Sequence, residues 1–110
     1  MSNSLIAIQG VYFRLESHFN ELFNACTTEE QRDTLRHSYV NARDTWWDAQ
    51  AKTFNDSDPI VIKLIADTRT ATDRIDQMLA NLQDIVGILQ VIQQAVGLAS
   101  NLATLAGVPV

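Results

Sequence analysis

The sequence predicts an all-α protein, either an extended antiparallel helical hairpin or a three-helix, coiled-coil-like bundle, with one very long C-terminal helix at about residues 58–106. Three observations support this fold class. Apolar residues recur at alternating spacings of three and four along most of the chain, only four glycines and two prolines occur in 110 residues, and two capping patterns mark helix starts. A chain of this length, with 46% hydrophobic residues, is expected to form a single domain with a core.

The first predicted helix covers about residues 4–26. Its apolar side chains follow an a/d heptad pattern and therefore fall on one stripe. These side chains are Leu5, Ile8, Tyr12, Leu15, Phe19, Leu22 and Cys26. Thr27 interrupts the pattern, and a threonine followed three residues later by Glu30 is typical of the capping box that begins a helix.

The second predicted helix covers about residues 28–54 and has a seam of its own. That seam consists of Leu35, Tyr39, Ala42, Trp46 and Ala49. The polar run that follows it ends in Asp58 and Pro59. An aspartate N-cap before a proline at the first helical position is a strong helix start, because the missing proline N–H would have no partner there.

The third predicted helix is the very long one, at about residues 58–106. Apolar or small residues alternate between spacings of three and four from Val61 to Ala106, and Gly107 and Pro109 are typical of a helix end. A helix of this length would measure about 70 Å, which would place residues 61 and 103 more than about 55 Å apart.

Two arrangements of these helices agree with the pattern. In the first, helices 1 and 2 run nearly end to end and pair with helix 3 as an extended hairpin. In the second, helix 1 folds back near Thr27 to make a three-helix bundle, from which the far half of helix 3 projects. The matched lengths favour the hairpin.

The charge distribution excludes some classes of partner. The net charge is −5, and the eight basic side chains are scattered singly between Arg14 and Arg74. Nucleic acid is therefore not an expected partner, since its phosphates require clustered Lys and Arg. The lone Cys26 and the absence of a basic region before an apolar run indicate a cytoplasmic protein, or one exported without a cleavable signal peptide. Membrane association stays open for either location.

Charged side chains are missing from both ends of the chain, in residues 1–13 and 85–110. In a hairpin these segments lie side by side as an uncharged end. The C-terminal segment also has a second apolar stripe, about 60° around the helix from the first, which we interpret as a partner or membrane interface. The residues of this stripe are Ile88, Val91, Ala95, Leu98, Leu102 and Leu105.

Three explanations for the second stripe stay open. Helix 1 could cover both stripes within one chain. Self-association is favoured by small residues that let helices approach closely, at Ala95, Ala99 and Ala103. Membrane contact is the third, although a simple transmembrane span is disfavoured by Gln90, Gln93 and Gln94.

A second candidate patch consists of Val40, Trp47 and Phe54, at spacings of seven. Tryptophan is enriched at binding hot spots, but packing of Trp47 and Phe54 against Ile60 and Leu64 at the turn is the favoured explanation of the pattern. No catalytic or cofactor site, metal site or small-molecule substrate is expected. His18 and Glu21 lie one helical turn apart and could supply half of a metal site, which needs further ligands.

The turn residues Ser57-Asp58-Pro59, in a predicted helical hairpin of this size, are similar to the turn of type III secretion needle subunits. The long uncharged tail departs from the pattern of that family. The secreted WXG100 hairpins have a Trp-x-Gly turn, whereas Trp46-Trp47-Asp48 lies within a predicted helix. We therefore assign the chain to neither family.

The leading hypothesis is a non-enzymatic helical protein that forms a homo-oligomer, or binds a partner helix, through its uncharged N- and C-terminal end. The alternative is a leaderless membrane-active protein of the pore-forming or translocator-like kind.

Overall fold

The computed structural model describes residues 2–109 and is built from four helices and a short two-stranded ribbon. In chain order the elements are α1 (Asn3–Ala25), α2 (Glu29–Ala49), β1 (Lys52–Phe54), α3 (Pro59–Met78), α4 (Ile85–Ala106) and β2 (Gly107–Pro109). The helices pack against one another, which confirms the all-α class. The molecule measures 41 × 22 × 19 Å.

Successive helices run in opposite directions, and α1 and α4 form the central pair. Both α2 and α3 pack against α1 and against α4, so they lie on either side of this pair. The ring N–H of Trp46 in α2 donates to the side-chain oxygen of Gln9 in α1 at 3.5 Å. Arg14 of α1 forms an ion pair with Asp76 near the end of α3 at 3.3 Å. The start of α3 lies near the start of α1, because Asp56, just before α3, accepts from the backbone N–H of Asn3, so the two helices run parallel.

The prediction of one very long helix at residues 58–106 is wrong, and so is the extended hairpin built on it. The alternative, in which helix 1 folds back near Thr27, agrees with the packing of α1 against α2, but its projecting far half of helix 3 is wrong. The chain turns at residues 79–84, and no extended helix of about 70 Å fits a molecule 41 Å long. Folding back lets α3 and α4 bury each other's apolar faces, which an extended helix would leave in water. Residues 61 and 103 consequently belong to two antiparallel neighbours.

Side chains of the turn itself stop and restart the helix. The side-chain oxygen of Asn81 accepts a hydrogen bond from the backbone N–H of Gln83 at 3.2 Å. Asp84 is the N-cap of α4, and its carboxylate accepts from the backbone N–H of Gly87 at 3.1 Å. Asparagine and aspartate favour such turns because their side chains substitute for backbone partners.

The other helix boundaries are closer to prediction. α1 spans nearly the predicted range, and Asp58 caps α3 with Pro59 at its first turn, as expected. The capping box of α2 is formed one residue later than predicted, by Thr28 with Gln31. The predicted second helix over residues 28–54 is too long, since α2 ends at Ala49.

Instead of continuing α2, residues 52–54 form an antiparallel ribbon with β2, in which Thr53 lies opposite Val108. The Lys52 ammonium donates to the carbonyl oxygen of Ala103 at 3.1 Å, near the C-terminus of α4. A Cβ on Gly107 would lie 2.5 Å from that same carbonyl oxygen, so only glycine fits at this point. We call the end of the bundle that carries β1 and β2 the ribbon end.

The connector between α2 and α3, residues 50–58, contacts both the first turn of α1 and the last turns of α4. Its Asp56 carboxylate accepts hydrogen bonds from the backbone N–H groups of Asn3 at 2.8 Å and Ser4 at 3.2 Å. Its strand β1 pairs with β2. The connector thereby holds α1 and α4 together at the ribbon end.

The core lies along the α1–α4 pair. All four helices contribute large side chains with essentially no exposure, among them Ile8, Leu15, Leu22, Leu35, Ile75, Ile88, Ile92 and Leu102. α4 contributes most, since eleven of its 22 residues are buried.

Candidate interaction surfaces

Most of the predicted second stripe of α4 lies in the core of this chain. Ile88, Val91, Ala95 and Leu102 are buried, Leu98 is half-buried, and only Leu105 is well exposed, at 66%. Because α4 contacts all three other helices, these cover the four buried side chains. Of this stripe, only Leu98 and Leu105 are therefore left for a second molecule to cover.

Leu98 lies in a surface groove between α3 and α4, which we call the α3–α4 groove. The groove is lined by Asp67, Thr70, Ala71, Arg74, Gln94 and Leu98. Leu105 follows Leu98 by seven residues, which is about two helical turns, so it lies on the same side of α4 nearer the ribbon end. The two least buried members of the predicted stripe thus share one groove.

Ile60 belongs to the same groove on the opposite wall. It precedes Asp67 by seven residues and therefore lies on the groove side of α3, two turns nearer the ribbon end. Its side chain is 65% exposed, and Val108, just beyond α4, is exposed as well. Each wall of the α3–α4 groove accordingly has an exposed apolar side chain towards the ribbon end, Ile60 on α3 and Leu105 on α4.

The sequence pattern missed Ile60 and Val108 as surface residues. Ile60 stands outside the Val61–Ala106 seam, next to a proline, and an apolar residue in a first helical turn has no periodic signal of its own. Val108 lies in a strand whose partner is more than 50 residues away. The exposure of Val108 follows from the β1–β2 pairing, which local sequence does not indicate.

The uncharged end that was predicted for a hairpin exists only in part. The uncharged first half of α1 and the uncharged second half of α4 do meet at the ribbon end. However, α3 brings Lys63 and Asp67 beside α4, where they form an ion pair at 3.0 Å. The groove therefore has one uncharged wall and one charged wall.

The second candidate patch is divided by the structure. Val40 and Trp47 lie on the outer surface of α2, with Trp47 69% exposed, whereas Phe54 is a half-buried residue of β1. The Trp47 ring lies edge-on to the Trp46 ring, with 6.1 Å between ring centres, and its high exposure leaves little of it for the predicted packing against Ile60 and Leu64.

Trp47 instead ends a ladder of aromatic rings along the α1–α2 pair. Neighbouring ring centres lie 5.1–6.1 Å apart, which is the range of favourable aromatic contacts. The rings are those of Phe23, Phe19, Tyr39, Tyr12, Phe13, Trp46 and Trp47. Most of these rings are at least partly covered by their neighbours in the ladder. The main effect of the ladder is therefore to stabilise the packing of α2 against α1.

A second, more polar groove runs between α2 and α4. Hydroxyl, amide and carboxylate side chains line it, including His37, Asp44, Asp48 and Gln93. Within α1, His18 contacts Glu21 at 3.4 Å. Across residues 2–109, no group of three or more His, Cys, Asp and Glu side chains is placed to hold a metal ion.

No protein-family model, curated protein or solved structure matches this chain. α4 is long and apolar enough to cross a membrane, but half of its most apolar window is buried in the bundle, and core helices of soluble proteins share this composition.

Proposed function

We propose that this chain is a non-enzymatic helical protein that self-assembles, or binds a partner helix, through the ribbon end of the α3–α4 groove. The observation that supports this most directly is the exposure of Ile60 and Leu105. Their spacing of seven residues from Asp67 and Leu98, which line the groove, places them along its two walls. Single exposed apolar residues are ordinary, whereas neighbouring ones mark contact sites.

Energetics favour occupation of this groove. Full burial of an Ile or Leu side chain stabilises by about 1.5–3 kcal/mol, and about two thirds of that area is still in water at Ile60 and Leu105. Both side chains project from ordered helices, so little conformational entropy is lost when they are covered. A helix laid along the groove would also cover half-buried Leu98.

A partner helix is the expected occupant because the groove is bounded by two antiparallel helices. The α4 wall offers only uncharged side chains from residue 85 onward, so contact there depends on shape and apolar area rather than on charge. The face between α1 and α3 has a different character, since Arg14, Arg69 and Asp73 line its groove.

The test compares the mass of the wild type with that of a double variant, Ile60→Ser with Leu105→Ser, by light scattering over a range of concentrations. The same samples are titrated with an environment-sensitive apolar dye. The double variant is expected to stay monomeric and to bind less dye, with unchanged helix content.

Ile62→Ser is the matched control. Ile62 is in the same helix and 53% exposed, but it precedes Arg69 by seven residues and so lies on the α1 side of α3. If the double variant and Ile62→Ser behave alike in both mass and dye binding, the proposed function fails.

A second candidate function, supported by the charge-free α4 of membrane-spanning length, is membrane activity in which α4 leaves the bundle. Flotation with neutral vesicles tests it. Gln94→Lys, on the exposed face of α4, should abolish flotation, because a lysine within a span costs about 2.5–3.5 kcal/mol. Gln83→Lys, outside α4, is the control. Absence of wild-type flotation would exclude this candidate.

A further inference from the structure

Charges of alternating sign follow the groove side of α3. Lys63 precedes Thr70 of the groove lining by seven residues, and Asp67 and Arg74 line the groove themselves. Lys63 and Asp67 pair with each other, but both stay in water, with side chains 76% and 44% exposed. The order along the groove is therefore positive, negative, positive, beginning next to Ile60.

This order is self-complementary when a second α3 runs antiparallel to the first. A two-fold axis perpendicular to the helix, passing between Lys63 and Asp67, sets each Lys63 opposite the Asp67 of the second copy. The same axis brings Arg74 level with the acidic connector of the second copy, which contains Asp56 and Asp58. Interfaces with two-fold symmetry require this reciprocal pairing.

The apolar residues of α4 agree with the same symmetry. α4 runs antiparallel to α3, and Leu98 lies beside Ala71, so the level midway between Lys63 and Asp67 falls near Leu105. Leu105 of each copy therefore meets its own counterpart beside the axis. Leu98 lies towards the ribbon end of the second copy, where Val108 is exposed.

We infer that the partner of the α3–α4 groove is a second copy of this chain, packed about a two-fold axis perpendicular to the helices, with α3 against α3 and α4 against α4. This inference rests on the proposed function and names its partner. A two-fold axis parallel to the helices would set Lys63 and Asp67 against uncharged α4, leaving both without a reciprocal charge.

The test exchanges the charges between two variants. Lys63→Glu sets two anions against each other across the axis, and Asp67→Lys sets two cations against each other. Each variant alone is expected to dimerise about tenfold more weakly than the wild type, because two exposed ion pairs become repulsions.

An equimolar mixture of the two variants restores both attractions. The introduced glutamate of the first variant faces the introduced lysine of the second, while the unchanged Asp67 of the first faces the unchanged Lys63 of the second. A heterodimer of near wild-type affinity is therefore expected.

Analytical sedimentation measures dimer formation by the two variants, separately and mixed. Circular dichroism confirms that each variant is folded. Recovery of the dimer only on mixing supports the two-fold arrangement. A monomeric wild type, or single variants that dimerise as well as the wild type, would overturn it. With either of these outcomes, loss of dye binding in the Ile60→Ser, Leu105→Ser double variant would still support the groove as a contact site. Failure of the two-fold dimer can therefore be distinguished from failure of the proposed function.

Discussion

The hydroxyl of Ser4 donates a hydrogen bond to the carboxylate of Asp56, a residue 52 positions later in the chain. The same carboxylate accepts from the backbone N–H groups of Asn3 and Ser4. The first turn of a helix has backbone N–H groups without partners inside the helix. Asp56 therefore acts as a cap for α1 from outside it, in addition to the N-cap Ser2, which accepts from Leu5.

Replacing Asp56 with Asn should lower the free energy of unfolding by about 1–2 kcal/mol, because an amide is a weaker acceptor for these three donors than a carboxylate. Urea unfolding followed by circular dichroism measures the change. Asp73→Asn, at an exposed site of α3, should change stability by less than about 0.5 kcal/mol. Equal losses in the two variants would contradict the capping role.

The Asp56 carboxyl also predicts a dependence of stability on pH. Partial burial raises the pKa of this carboxyl, but the hydrogen bonds from Ser4 and Asn3 together outweigh that effect, so its pKa lies below the ordinary value. A carboxyl with a depressed folded-state pKa stabilises fully above its unfolded pKa of about 3.9. This contribution is lost as the pH falls through the folded-state pKa.

The difference in stability between the wild type and Asp56→Asn should accordingly be constant above about pH 5 and shrink below about pH 4. Unfolding curves at several pH values measure it. A difference that grows on acidification would have the wrong sign for this mechanism.

Two leucines of α4 that are three residues apart should respond very differently to truncation. Leu102→Ala removes a fully buried side chain and should cost about 2–5 kcal/mol. Leu105→Ala affects an exposed one and should change monomer stability by less than about 0.5 kcal/mol. The comparison is made by denaturant unfolding at concentrations low enough to exclude association. Similar losses would mean that Leu105 is core.

Alanine substitutions at two glycines, Gly97 and Gly107, should change stability in opposite directions. A Cβ at Gly97 meets nothing within 4 Å, so Gly97→Ala should stabilise α4 by about 0.5–1 kcal/mol through helix propensity alone. A Cβ at Gly107 collides with the backbone of Ala103, so Gly107→Ala should destabilise the ribbon. Thermal unfolding of the two variants should shift in opposite directions. A shift in the same direction would contradict the tight packing at Gly107.

The turn at residues 79–84 can be tested by measuring the distance between a label on α3 and a label on α4. Spin labels at positions 63 and 101, with Cys26 replaced by Ala, should lie less than about 25 Å apart, because antiparallel neighbours are separated by about 8–10 Å between axes. A continuous helix would separate the same positions by about 57 Å at 1.5 Å per residue. A separation near the larger value would exclude the α3–α4 hairpin.

The local features of the fold were predictable and the long-range ones were not. The range of α1 and the start of α3 at Asp58 and Pro59 followed from seams and caps. The turn within residues 58–106 escaped prediction because Met78, Leu82 and Ile85 keep the helical spacing across it. Core-facing residues before and after a tight turn both need burial, so periodicity alone does not show the interruption.

Asn81 and Asp84 contained the missing signal, as turn-forming and capping residues inside an otherwise apolar segment. The ribbon had no such signal, since its two strands have three residues each and pair across more than 50 positions. Of the predicted interface residues, Leu105 is exposed and Leu98 half-buried, whereas the burial of the other four depends on where the other three helices pack against α4.

The connector at residues 50–58 sets an order of events when the chain folds. The α1–α2 and α3–α4 pairs are each joined by a short turn, so each can form from contacts that are close in sequence. Ser4 with Asp56, and β1 with β2, close loops of about 50 residues and lose more chain entropy on forming. We expect both helical pairs to form early and the ribbon end last, so amides of β1 and β2 should exchange with solvent sooner than those in the middle of α4.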